Sequence, residues 1–240
     1  MACRNEEKAS EAIKQVQKEL PKADISKIKY LHMDLNDLKD LETFVEQFQA
    51  LSIPLDVLIL NAGIMAPGKK ALMFETNVLG HFYLAHLLTE NLKESKGKMI
   101  WVASKAHNQL SHQLKEEQSI KDYVFDGKGS LATSMAEYGF TKRCNIWLAK
   151  EFNRRLSQEG VRVNSLHPGT IRTNIGNANS AWYLKPVVWG LNLFFSSPEV
   201  GARTSVFLAM SPEAEGFTGE YFENSKRHHL IPYLSINQQL

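Results

Sequence analysis

The chain has 240 residues, 43% of them hydrophobic and 22% charged, which suits one domain with a substantial core and excludes a disordered chain. A formal net charge of +2, with lysines and arginines dispersed along the chain, makes no case for nucleic acid as a partner. Two cysteines, Cys3 and Cys144, are too few for a disulfide framework and lack metal-ligand spacing, so no metal site is expected and a reducing, cytoplasmic setting is.

The opening MACRNEEK has no apolar run of signal-peptide length. Residues 6–20 carry Ala9, Ala12, Ile13, Val16 and Leu20 at helical intervals and predict a surface helix with one buried stripe. Residues 28–33 read as a strand, and 34–37 offer caps for a helix carrying Leu38, Leu41, Phe44, Val45 and Phe48. A short apolar run over 55–60 predicts a buried parallel strand, followed by one helix over about 74–92 and a second buried strand over 98–103. The remaining elements are a helix over about 136–156, a strand over 161–167, a helix from Ser197-Pro198-Glu199 to Met210 and a last strand over 219–222. Helix and strand thus alternate throughout, which predicts a single α/β domain over residues 1–240, a doubly wound parallel sheet of Rossmann type. In that architecture Asn61-Ala62-Gly63, Ser104 and His167-Pro168-Gly169, each just past a strand, converge on the carboxyl edge where ligands bind.

Tyr138 and Lys142 are four residues apart in a helical stretch, so they share one face. A phenol with a pKa of about 10 is a poor acid or base near neutrality, and a fixed ammonium one turn away is expected to lower it toward the working range. On its own a Y-x-x-x-K spacing is commonplace; the flanking strings give it weight.

Those strings are LDVLILNAG, ETNVLGHF, MIWVASKAH, the tyrosine helix and VRVNSLHPGTIRTN. In this order the chain resembles the short-chain dehydrogenase/reductase family, and ACRN, GHFYL and GEYFEN are most similar to its retinol dehydrogenase and WW-domain-containing oxidoreductase branch. The resemblance implies an oxidoreductase in which Tyr138 transfers a proton, Ser104 hydrogen-bonds the substrate oxygen, Lys142 assists both tyrosine and nicotinamide ribose, and Asn77 holds a relay water. It further implies cofactor contacts from Asn61, Ala62 and Gly63, from Asp34 and Leu35 against adenine, and from Pro168, Gly169, Ile171 and Thr173. Arg4 stands where the family's second strand ends; an arginine there without an acid favours a 2′-phosphate, so NADP is expected before NAD. The long polar stretch between Ser104 and Tyr138 matches that branch and is expected to border the substrate entrance, with His107 and His112 solvated. Dimerisation through the third and active-site helices is a family expectation.

The family begins with a strand, a T-G-x-x-x-G-x-G turn and a helix, and none of these is in the sequence. Their absence removes a central strand and is expected to leave unpaired edges on its neighbours. NAGIMAPGKKALMFETN is also several residues shorter than the family pattern, which is expected to alter helix packing there. Two readings stay open: a piece of an ordinary reductase, or a cofactor-deficient chain acting as an interaction or regulatory protein.

Residues 181–195, AWYLKPVVWGLNLFF, are too short for the ~20 residues of a membrane span and contain Lys185, Pro186 and Asn192. They stand where the family places its substrate lid. So apolar a segment fits a lipid-like carbonyl or alcohol of retinoid or steroid type, a peripheral membrane contact, or packing on the core or a second subunit.

Overall fold

The computed structural model describes residues 1–109, 134–169 and 198–229. The elements in chain order are β1 (Ala2–Cys3), α1 (Glu6–Glu19), β2 (Leu31–His32), α2 (Leu38–Ala50), β3 (Val57–Leu60) and α3 (Lys70–Phe74). A π-helical turn (Glu75–Leu79), α4 (Gly80–Leu87), α5 (Thr89–Ser95) and β4 (Lys98–Val102) follow, then a 3-10 turn (Lys105–Gln109). The described chain closes with α6 (Ser134–Leu156), β5 (Arg162–His167), α7 (Pro198–Met210), β6 (Tyr221–Glu223) and β7 (Lys226–His228). Strands β3, β4, β5 and β6 are parallel neighbours in that order, and β7 adds antiparallel to β6.

Strand β4 shows why the sheet is covered on both faces. Its sequence KMIWV has no polar alternation, and successive side chains leave on opposite sides. Met99 and Trp101 join one cluster with Leu41, Phe44, Val45, Leu84, Leu92, Ala149 and Phe152, from α2, α4, α5 and α6. Ile100 and Val102 join a second with Leu166, Leu208 and Phe222, so α7 covers the other face. The buried Asn164 inside β5 is satisfied: it donates to the Phe217 carbonyl at 2.8 Å and accepts from the Glu220 amide at 3.0 Å.

The sheet is divided. β1 and β2 pair with each other, parallel, and form a separate two-stranded sheet. Among the described residues β1 and β3 each have one paired neighbour, and β3 leaves Val57 and Leu58 half-buried and Ile59 exposed, unlike β4. This is the open edge expected where a central strand is missing. The two parts stay together through side chains: Met33 and Leu35, just after β2, share the first cluster with Leu60 at the end of β3.

Several local expectations are corrected. The strand over 28–33 shortens to Leu31–His32, the two residues that pair with the two-residue strand β1. The single helix over 74–92 is instead four consecutive pieces, with a π turn at Glu75–Leu79 and a break at Leu88. The last strand continues into a hairpin through Asn224 and Ser225, both with positive φ, 53° and 58°, as a two-residue turn requires. Among the described residues no helix is long and apolar enough to cross a membrane, and residues 181–195 lie outside the described residues.

Leu41 and Leu38 test how far the shared core holds the two sheets. Leu41 is fully buried among residues from both parts, whereas Leu38, also on α2, is 54% exposed. Leu41→Ala is expected to cost about 2–5 kcal/mol in urea unfolding and Leu38→Ala within about 0.5 kcal/mol. Equal midpoints for the two variants would contradict the shared core.

Candidate active site

Parallel pairing carries the ends of β3, β4 and β5 to one edge, in the register Leu60 opposite Trp101 and Val102 opposite Leu166. Asn61-Ala62-Gly63, Ser104 and Pro168-Gly169 follow those ends directly, and α6 lies across the same edge, packed on β4, β5 and the 3-10 turn. The Ser104 hydroxyl lies beside the Tyr138 phenol, close enough to act on it as a hydrogen-bond partner that lowers its pKa. The Lys142 ammonium is buried, donates to the Val102 carbonyl at 3.0 Å and sits 5.7 Å from the centre of the Tyr138 ring.

The electrostatics differ from the expectation drawn from spacing. Burial pushes the Tyr138 phenol up to about 12, with the Ser104 hydrogen bond the opposing influence. Burial also lowers Lys142 to about 8, and the influences on the tyrosine are burial and Ser104 rather than the lysine. Desolvation therefore outweighs the expected lysine effect, and the resting phenol stays protonated, the form that donates to a carbonyl oxygen.

Asn77 is wholly buried in the π turn. Its amide donates to the Ile64 carbonyl at 2.9 Å and to Thr141 Oγ1 at 3.1 Å, while its oxygen accepts from the Ile64 amide at 2.8 Å. Thr141 in turn donates to the Tyr138 carbonyl at 2.8 Å. The side chain thus staples the loop after Gly63 to α6. Gly63 lies close under the lysine: a Cβ there would be 3.1 Å from Lys142 Nζ, a tight contact with the end of a flexible side chain.

The proposed adenine contacts separate. The Leu35 side chain is buried in the core. Asp34 remains partly exposed and lies 3.8 Å from the exposed Arg4 guanidinium, so the arginine expected to stand without an acid has one across the strands. Pro168 and Gly169 are partly exposed with open space beside Gly169; Ile171 and Thr173 lie outside the described residues. His107 is buried, not solvated, with Nδ1 2.6 Å from the Ser104 carbonyl, and His112 lies outside the described residues.

Sequence reasoning missed Thr141, Asn145 and His81. Thr141 and Asn145 continue the 138/142 stripe at helical spacing, and Asn145 lies 3.5 Å from the Val102 carbonyl that Lys142 bonds. His81 is buried edge-on against Trp101, with ring centres 6.4 Å apart, and burial together with the Lys142 charge holds it down to about 3. A cavity of about 350 Å³ bordered by Gln49, Ser52, Pro54 and Glu94 lies before β3, at the opposite edge from this chemistry, so the site is defined by its residues and not by that cavity.

The chain belongs to the short-chain dehydrogenase family. The family model described as short chain dehydrogenase matches residues 1–115. Human retinol dehydrogenase 14 is 35% identical over 253 residues, covering 97% of this chain and 72% of that protein. The human WW domain-containing oxidoreductase is 34% identical over 247 residues, covering 95% of this chain and 55% of that protein, so the chain spans about half the length of those relatives. Among solved structures, a Caenorhabditis elegans short-chain dehydrogenase/reductase of unknown function with cofactor superposes with TM-score 0.69 at 16% identity, covering 91% of this chain and 80% of that one. A gluconate 5-dehydrogenase from Burkholderia cenocepacia, in complex with NADP and tartrate, gives TM-score 0.66 at 19% identity over 92% and 81%. These two show the fold.

Buried histidines give the site a pH signature. His81 is held to about 3 and His167 to about 4, in both cases chiefly by burial, while an unfolded histidine titrates near 6.5. Below pH about 6.5 the unfolded chain binds protons that the native chain refuses, so stability falls as pH falls toward about 4. Melting temperature is expected to drop between pH 6.5 and 4.5, above the range of ordinary carboxylates. His167→Asn, which keeps an acceptor for the Lys105 amide at 3.3 Å, should flatten part of that drop. A flat profile in the parent chain would refute these assignments.

Proposed function

We propose that this chain is an NADP(H)-dependent oxidoreductase that interconverts an alcohol and a carbonyl on an apolar substrate of retinoid or steroid type through Ser104, Tyr138 and Lys142. The observation that carries the reading is the Ser104 to Tyr138 hydrogen bond above a buried Lys142 at the carboxyl edge of the sheet. Tyr138, protonated at rest, gives its proton to the carbonyl oxygen in reduction and takes it back in oxidation. Ser104 donates to the same oxygen as charge develops on it. Lys142, one turn along the helix, favours the phenolate left after proton transfer. A bound nicotinamide supplies or accepts the hydride.

The residues present fit such a group. Asn61 and Ala62 are exposed and Gly63, Pro168 and Gly169 partly exposed, so the chain just past the strand ends is accessible. Asn61, Ala62, Gly63, Tyr138, Lys142, Pro168 and Gly169 would hold the nicotinamide half. Asp34 and Leu35 would lie against adenine and Arg4 would meet its ribose, where a 2′-phosphate would draw Arg4 from a solvent-exposed ion pair that holds it weakly. Ile171 and Thr173 belong to the same proposal through the family resemblance. Leu79 and Phe82, exposed on the π turn and α4, support a homodimer, and the apolar segment 181–195 supports a peripheral membrane contact with a cytoplasmic location.

A second reading, a chain without cofactor chemistry that serves as an interaction or regulatory protein, is favoured by the divided sheet. Thermal unfolding with and without NADPH and NADH separates the two. Nucleotide at a hundred times its dissociation constant stabilises the native state by about 2.7 kcal/mol. An upward shift, larger with NADPH, is expected; indifference to both nucleotides supports the second reading. With retinal, steroid ketones and small polar aldehydes as substrates, the apolar compounds are expected to turn over faster. Tyr138→Phe should lower kcat by about 10²–10⁴ while the nucleotide-induced shift remains.

A further inference from the structure

We propose that Arg143 is a positioning residue that, through His107, holds the Ser104 turn so that the serine hydroxyl donates toward Tyr138 and the substrate oxygen. The inference rests on the catalytic reading of Ser104 and Tyr138 given above.

Tyr138 and Lys142 form one stripe of α6, and the next stripe, one residue on, is Gly139 and Arg143. That second stripe faces the turn carrying Ser104. A Cβ at position 139 would lie 2.3 Å from the Ala106 carbonyl oxygen, so only glycine lets the helix approach this closely. One turn later the buried Arg143 guanidinium donates to the His107 carbonyl from Nη2 at 2.6 Å and from Nε at 3.2 Å. The two peptide carbonyls that follow Lys105 are thus held by α6, one by contact and one by a charge-assisted pair of hydrogen bonds.

His107 passes the constraint to Ser104. Its backbone amide donates to the Ser104 carbonyl at 3.0 Å, and its ring Nδ1 lies 2.6 Å from the same oxygen. A carbonyl only accepts, so Nδ1 carries the hydrogen, and the ring tautomer follows. The Ala106 amide donates to Ser104 Oγ at 3.3 Å. A hydroxyl has one hydrogen, and with this amide occupying an acceptor site that hydrogen is directed to the Tyr138 side of the serine. The Lys105 amide, which donates to His167 Nδ1 at 3.3 Å, ties the start of the turn to the end of β5.

The fork geometry of a guanidinium holding one carbonyl by two donors is not reproduced by an apolar side chain and is reproduced in part by one donating group. The experiment compares Arg143→Met, Arg143→Gln and Arg143→Lys in the full chain by amide hydrogen exchange and by a 13C-tyrosine titration of Tyr138, neither of which needs turnover. In Arg143→Met the Ala106 and His107 amides are expected to lose protection tenfold or more while β4 and β5 amides keep theirs, and the Tyr138 titration should move upward as the Ser104 bond loosens. Arg143→Lys or Arg143→Gln should restore part of both.

Where the parent chain reduces a carbonyl, kcat should fall in Arg143→Met with the KM for NADPH unchanged. Where the parent is inactive, selective loss of protection at Ala106 and His107 with partial rescue still supports the brace, and only the catalytic reading fails. Unchanged protection at these amides, uniform loss of protection across the sheet in all three variants, or a Tyr138 titration that stays in place would overturn the proposal.

Discussion

An ammonium group with almost no access to water sits at the end of β4, and much of the site is arranged around it. Lys142 retains a bond to the Val102 carbonyl, and burial brings its pKa down to about 8. Space for it exists because residue 63 has no side chain and because the Asn77 amide staples the neighbouring loop out of its way. The same charge, together with burial, keeps His81 neutral beneath the site. A cation placed here without these accommodations would be too costly to keep charged.

The tyrosine shows how burial and charge compete. Bringing Tyr138 into a dry site raises its pKa, and the influence that opposes the rise is the neighbouring Ser104 hydroxyl rather than the lysine that helix spacing points to. Ser104 lies on a turn outside regular secondary structure, and its geometry is as good as the contacts made by Gly139, Arg143 and His107.

The divided sheet is a different kind of constraint. Among the described residues backbone pairing does not join β1 and β2 to the remaining five strands, and the apolar cluster shared by Met33, Leu35, Leu41, Leu60 and Trp101 takes that role. Side-chain packing is less directional than a hydrogen-bond ladder, so it holds the two parts in one core while leaving Ile59 exposed at the open edge.

Periodicity alone determined much of this protein. Apolar runs such as KMIWV specify strands buried on both faces, amphipathic stretches specify α2 and α6, and their alternation specifies a parallel sheet whose strand ends bring Gly63, Ser104 and Gly169 to one edge. The four-residue spacing of Tyr138 and Lys142 likewise settles that they share a helix face. Local signals cannot report what the fold brings against a side chain. The burial of His107, the placement of Leu35 in the core and of Asp34 beside Arg4, and the π turn that presents Asn77 to Ile64 all depend on residues far away in the chain. Proton affinities belong with these, since desolvation is set by everything packed around a group, and only the tertiary structure brings that packing together.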